Sequence, residues 1–187
     1  ESKRAKYAAD LEVATLPTGA QADVIEAVAE GVIFNSMESL MHNHINRMAV
    51  LRPRLTEKEN ALALANAFLL LGAPYDFNFD FVDVTHQCCT EVIYRSLYKR
   101  GGIEFMLVPR SGVQTLAADD IVQYHLSREK PVFDFVLFAE EDPAAKGNRA
   151  RILTGDAGSQ RLAALMAEKA SPAMVFTFPK LPLPRKK

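Results

Sequence analysis

Two adjacent cysteines, Cys88 and Cys89, are the residues of this chain best suited to covalent chemistry. A thiol attacks as its thiolate, and free cysteine is mostly protonated at neutral pH. A sulfur in the first turn of a helix gains the anion more readily, because unpaired amides and the helix dipole point at it. Cys89 suits that position: an aromatic, aspartate-rich loop over 75–85 precedes it, and Val92, Ile93 and Leu97 follow at helical spacing. The same amides could help hold an oxyanion. Taken on spacing alone, a buried core thiol is the commoner fate of a free cysteine. A disulfide between neighbours would be strained, so at least one thiol is expected to be free.

The other groups able to do chemistry point less clearly. Asp76, Asp80 and Asp83 lack the glycine and distal glutamate of a calcium loop, and interleaved phenylalanines suggest packing instead. His42 and His44 would diverge on a helix, and no second cysteine pair completes a zinc site. Gly155-Asp156-Ala157-Gly158 before a helix could hold a phosphate, but no Walker lysine or Rossmann pattern accompanies it. No Gly-x-Ser-x-Gly elbow is present. No metal and no organic cofactor is therefore expected.

These groups must be carried by mixed elements. Val24 to Val32, rich in β-branched residues and broken by Gly31, reads as a strand with a turn. A short helix is expected within 36–46, and Met48 to Leu51, stopped by Arg52-Pro53, reads as a strand. Thr56-Glu57-Lys58-Glu59 is a capping box opening a helix that runs up to Gly72. The helix behind Cys89 should reach Arg100, ended by Gly101-Gly102. Asp119-Asp120 opens a further helix, Val132 to Phe138 and Arg151 to Thr154 read as strands, and Ser159 to Ala170 as a last helix. Residues 171–187, with four prolines and a basic end, read as an extended tail. The fold class is α+β, in a single domain over 1–187.

Two segments together resemble a known family. Tyr75-Asp76-Phe77-Asn78-Phe79, then Cys89-Thr90-Glu91-Val92-Ile93, are similar to the circularly permuted branch of NlpC-like papain-fold cysteine hydrolases, the YiiX/YebB-like group. Val24-Ile25-Glu26-Ala27 with Gly31-Val32, and Val50-Leu51-Arg52-Pro53, also look like that family's upstream strands. The resemblance spans residues 23–125. It implies a papain-like antiparallel sheet with packed helices and a cysteine amidase or peptidase acting on a small peptide, amide or lipid-like substrate. Cys89 would be the nucleophile, Glu26 the residue that orients the base, and Tyr75 and Thr90 would line the substrate. On geometry alone Glu26 reads as a strand residue facing water, and Tyr75 equally as a packing ring.

The family's histidine lies on a strand before the Val-Ile-Glu-Ala segment, and no histidine occurs between Glu1 and Glu26. Three accounts stand: a histidine-bearing strand before residue 1, a papain-fold binding domain without its base, or His86 serving instead. Acyl transfer to an acceptor is a further alternative on the same scaffold.

Composition narrows the remaining classes. The 187 residues are 49% hydrophobic and 24% charged, with a net charge of -1, so no basic field argues for nucleic acid. No apolar run is long enough to cross a bilayer. The resemblance suggests a bacterial periplasm or cell envelope, and a cytoplasmic setting is equally compatible with two cysteines.

Overall fold

The computed structural model describes residues 15–42, 46–142, 144–145 and 149–170. His44 and the expected tail over 171–187 lie outside them.

The segment expected as one strand with a turn is a hairpin, β1 (Val24–Val28) paired antiparallel with β2 (Gly31–Asn35). Gly31 has φ +112°, and a Cβ there would meet the Ala73 carbonyl oxygen at 2.5 Å, so glycine is required by conformation and by space. The outer edge of β2 is closed by the chain at 72–73: Val32 N–H donates to the Ala73 carbonyl and Gly72 N–H to the Val32 carbonyl, both at 2.9 Å. Since Val32 directs its main chain outward, antiparallel alternation turns the main-chain groups of Ile25 and Ala27 to the other edge of the hairpin. Among the described residues no strand pairs with that edge of β1.

Helix α1 (Met37–His42) follows, then β3 (Arg47–Pro53) and α2 (Glu57–Leu69). Thr56 caps α2 as expected: its Oγ1 accepts from Glu59 N–H at 3.3 Å, and the Glu59 carboxylate accepts from Thr56 N–H at 3.0 Å. Glu59 also accepts from Gly101 N–H at 2.8 Å. One carboxylate thus ties the start of α2 to the chain beyond the cysteine helix.

That helix is α3 (Cys89–Leu97), shorter than the expected 89–100. Lys99 takes φ +61° and Gly101 and Gly102 are both left-handed, so a tight loop begins before the glycines rather than at them. Gly101 is pressed against the Arg54 carbonyl, which a Cβ would approach to 2.5 Å. Pattern reading passed over a small hairpin, β4 (Val108–Arg110) with β5 (Val113–Thr115), turned by Ser111 and Gly112 at φ +51° and +89°.

Helix α4 (Ala118–Leu126) precedes β6 (Phe133–Glu141), β7 (Ala150–Thr154) and α5 (Gly155–Ala170). Strand β6 lies between β3 and β7 in an antiparallel sheet, and among the described residues the strands form one three-stranded sheet and two hairpins. The glycines considered for a phosphate loop are instead the first turn of α5. A Cβ on Gly158 would meet the Leu153 carbonyl at 2.6 Å and the Phe135 ring at 2.8 Å, so its role is close packing of helix on strand. The main core gathers Phe81, Cys88, Ile103, Phe105, Leu116 and Phe133, and a second cluster packs Ala27 and Val32 of the hairpin with Val92 of α3.

Candidate active site

The two cysteines separate cleanly. Cys88 is the N-cap of α3 and has no solvent exposure, whereas Cys89, the first helical residue, is exposed. Burial is the main force pushing the Cys88 thiol above its ordinary pKa. Its sulfur lies 3.4 Å from the Thr90 hydroxyl. Thr90 is itself buried, so the structure directs that side chain inward to Cys88.

The entrance to α3 is held by a buried polar network that sequence reading did not anticipate. Cys88 N–H donates to Glu91 at 2.8 Å, and the other Glu91 oxygen accepts from Arg95 at 3.0 Å. Arg95 also donates to Gln87 at 2.8 Å and to the Asp83 carbonyl at 2.7 Å. Gln87 N–H in turn donates to the Pro74 carbonyl at 2.9 Å. Gln87, Cys88 and Glu91 are all fully buried, and burial lifts the Glu91 carboxyl against the opposing pull of the Cys88 amide and Arg95. The glutamate of the Cys-Thr-Glu run therefore anchors the loop before Cys89. The spacing of Glu91 and Arg95, four apart on a helix, was the one signal in the sequence that could have found it.

These bonds satisfy the Cys88 amide, while Glu91 N–H and Val92 N–H both donate to the Cys88 carbonyl. The amides of Cys89 and Thr90 make no hydrogen bond to the described residues. A helix entrance leaves such donors over, and here they stand beside an exposed sulfur.

The Tyr75-Asp76-x-x-Phe79 segment forms the neighbouring loop. Asp76 is almost wholly buried, and its carboxylate accepts from Asn78 N–H at 2.8 Å and Asp80 N–H at 2.6 Å. That turn lets Phe79 adopt φ +54° and brings its ring edge-on to Tyr75, with centroids 6.2 Å apart. Asp80 and Asp83 likewise spend oxygens on their own loop, Asp83 accepting from Thr85 N–H at 2.7 Å. Among the described residues no group of three or more His, Cys, Asp or Glu side chains could hold a metal ion. The Tyr75 hydroxyl is pushed above its usual pKa chiefly by burial and next by the charges of Cys89 and Cys88. Tyr75 therefore sits within electrostatic reach of both sulfurs. With Pro74, Phe77 and His86 it lines a cleft of about 390 Å³.

Glu26 lies on β1, its Oε1 accepting from Asn35 Nδ2 across the hairpin. Alternation puts Glu26 and Asn35 on the face opposite Ala27, and Ala27 is the residue that packs toward Val92 of α3. Glu26 can therefore act only with a group on that outer face or at the open edge of β1. The histidines are scattered. His42 Nδ1 contacts the Glu38 carbonyl, His125 is held below its ordinary pKa by burial, and His86 Nδ1 is bound to Asp83 at 2.8 Å. None of these three hydrogen-bonds to Cys89.

A family model described as permuted papain-like amidase enzyme, YaeF/YiiX, C92 family, matches residues 11–128. The chain belongs to that family of papain-like amidases, and its α+β, antiparallel architecture is of the papain-like class. Strand β6, the central strand of the three-stranded sheet, comes from beyond the matched region. No curated protein matches the chain, nor does any solved structure. No helix among the described residues is long and apolar enough to cross a membrane.

Proposed function

We propose that the chain is a cysteine hydrolase that cleaves an amide or ester by acyl transfer, with Cys89 as nucleophile. The observation that carries this reading is an exposed sulfur at the first residue of α3, beside two amides that make no hydrogen bond to the described residues. The Cys89 thiolate adds to the carbonyl carbon, and the Cys89 and Thr90 amides receive the negative oxygen. The bond to the leaving amine or alcohol breaks as that group takes a proton, leaving a thioester on Cys89. Water then adds, gives up a proton to the base, and releases the acid. Thr90 contributes through its amide, and Tyr75, in the loop before α3, would line the substrate.

The base this reading requires would be received at the open edge of β1, where the Glu26 carboxylate would orient it. A second reading, a papain-fold binding domain without turnover, draws support from the lack of any bond between Cys89 and the described histidines. Hydrolysis of simple amides and esters by the chain and by Cys89→Ser decides between them. Turnover that disappears in the variant supports the hydrolase. Turnover equal in both proteins, or absent from both, removes it, and transfer to an added amine in place of hydrolysis would identify an acyltransferase.

A further inference from the structure

Strand β3 is an edge strand. It pairs with β6 on one side, and among the described residues no strand pairs with the other. The Asn46 carbonyl accepts from Glu141 N–H on the β6 side, so antiparallel alternation turns the main-chain groups of Arg47 and Ala49 to the unpaired edge. The same strand forms one wall of a second cleft, of about 450 Å³, across from Ile93 and Leu97 of α3. Ala49 and its cross-strand partner Phe138 line the sheet side, and Leu165 of α5 forms another wall. An unpaired edge next to an apolar wall suits an added strand. Its main chain would satisfy the edge while alternate side chains fill the cleft.

The chain supplies such a segment at the right place. Helix α5 ends at Ala170, and Lys169 in its last turn stands at the rim of the cleft, paired with Asp119 of α4 at 2.8 Å. The residues that follow are Ser171-Pro172-Ala173-Met174-Val175-Phe176-Thr177-Phe178-Pro179. The run between the two prolines is rich in the β-branched and aromatic types that favour strands, and Met174, Phe176 and Phe178 alternate onto one side of it. Proline, lacking an amide donor, stands only at its ends. Extended, residues 173–178 span about 20 Å, and β3 with its seven residues is of similar length. We propose that residues 173–178 dock in this cleft as a fourth strand along the open edge of β3, with Met174, Phe176 and Phe178 turned toward Ile93, Phe138 and Leu165. The docked segment ties the chain beyond the family-matched region to the helix that carries Cys89, and it stands independently of the hydrolase reading.

Hydrogen exchange on the full chain, read by mass spectrometry, tests this. The amides of 173–178 are expected to exchange about a hundredfold more slowly than those of 185–187. Phe176→Asp sets a charge against the apolar wall and should bring 173–178 to the rate of the chain end. Ile93→Asp acts from the other side of the cleft, at an exposed position of α3, and should speed exchange of 173–178 about tenfold or more. A photoreactive benzoylphenylalanine placed at position 93 should crosslink to 173–178 of the same chain, which supports the docking without any change to the segment itself. Fast exchange of 173–178 in the native chain overturns the proposal. Slow exchange that either variant leaves intact overturns it too, because the segment is then held elsewhere. A crosslink to other residues does the same, and one formed between two chains would assign the cleft to a second copy instead.

Discussion

The main-chain amide of Cys88 donates to the Glu91 carboxylate at 2.8 Å, and neither residue has any exposed surface. This bond fixes the direction of everything around it. With Cys88 drawn inward as the N-cap, the next residue must start the helix on the outside, and that residue is Cys89. Two identical side chains one position apart thereby acquire opposite surroundings.

Alkylation should report the difference directly. In the folded protein, iodoacetamide is expected to label Cys89 and leave Cys88 untouched, since burial both shields the Cys88 sulfur and raises its pKa. In denaturant both should react. Peptide mapping by mass spectrometry distinguishes them, and comparable labelling of Cys88 under native conditions would show that this helix entrance is not closed.

Removing the carboxylate should cost stability. Glu91→Ala leaves Arg95 mostly buried without its ion partner and the Cys88 amide without an acceptor. Breaking a buried pair by deleting one member costs about 3–5 kcal/mol. Glu91→Gln should cost less, because an amide oxygen can still accept from Cys88. Urea unfolding measures both, and a loss below about 1 kcal/mol for the alanine variant would mean the network contributes little.

Local chemistry made the cysteine helix legible in the sequence, and distance hid the rest. The capping box at Thr56, the acidic start of α4 and the helix after Cys89 each follow from residues within one turn of one another. The end of α3 did not, because Gly101 answers to Arg54, a residue from another element. Strands β4 and β5 are three residues each, too short for alternation to register, and only Ser111-Gly112 marks their turn. The motif residues were readable as neighbouring segments, but the bonds their side chains make were not. Asp76 and Glu91 hold backbone, and Glu26 faces away from the helix that carries Cys89. The cleft lined by Leu51 of β3, Ile93 of α3, Ile121 of α4 and Leu165 of α5 depends on side chains meeting in space, which no window along the chain can contain.

Tyr75 separates packing from chemistry. Its ring meets Phe77 and Phe79 edge-on, and Phe should preserve those contacts. Tyr75→Phe is therefore expected to unfold within about 1 kcal/mol of the native chain. If the hydroxyl faces the substrate, kcat should fall about tenfold or more in the same variant. Unchanged turnover with unchanged stability would assign the residue to packing alone.

The C-terminal part of the sheet should weaken in acid. Glu140 on β6 is buried and bound by Arg161 of α5, with Nε at 2.9 Å, and by Arg151 of β7, with Nε at 3.0 Å. These guanidinium groups lower its pKa from 4.5 to about 2, Arg161 contributing most. A carboxylate with a lowered folded pKa stabilises fully above its unfolded value, and the contribution disappears as the pH falls through the folded one. The difference in Tm between the native chain and Glu140→Gln should therefore be constant at neutral pH. It should shrink below about 4.5 and vanish near pH 2. A difference independent of pH would mean that Glu140 acts through shape rather than charge.

Glu26 carries the sharpest test of how the base is held. Glu26→Gln keeps an oxygen to accept from Asn35, so the hairpin should fold as before. If Glu26 positions an imidazole at the open edge of β1, loss of its charge weakens the imidazolium formed during acyl transfer. The expected result is a fall in kcat of about tenfold or more with KM little changed, and a displaced acid limb in the pH profile. A merely structural glutamate would leave that limb where it was. Normal turnover and an unmoved profile would return Glu26 to the role its outward-facing position alone suggests, and the search for the orienting group would move to the Cys89 side of the hairpin.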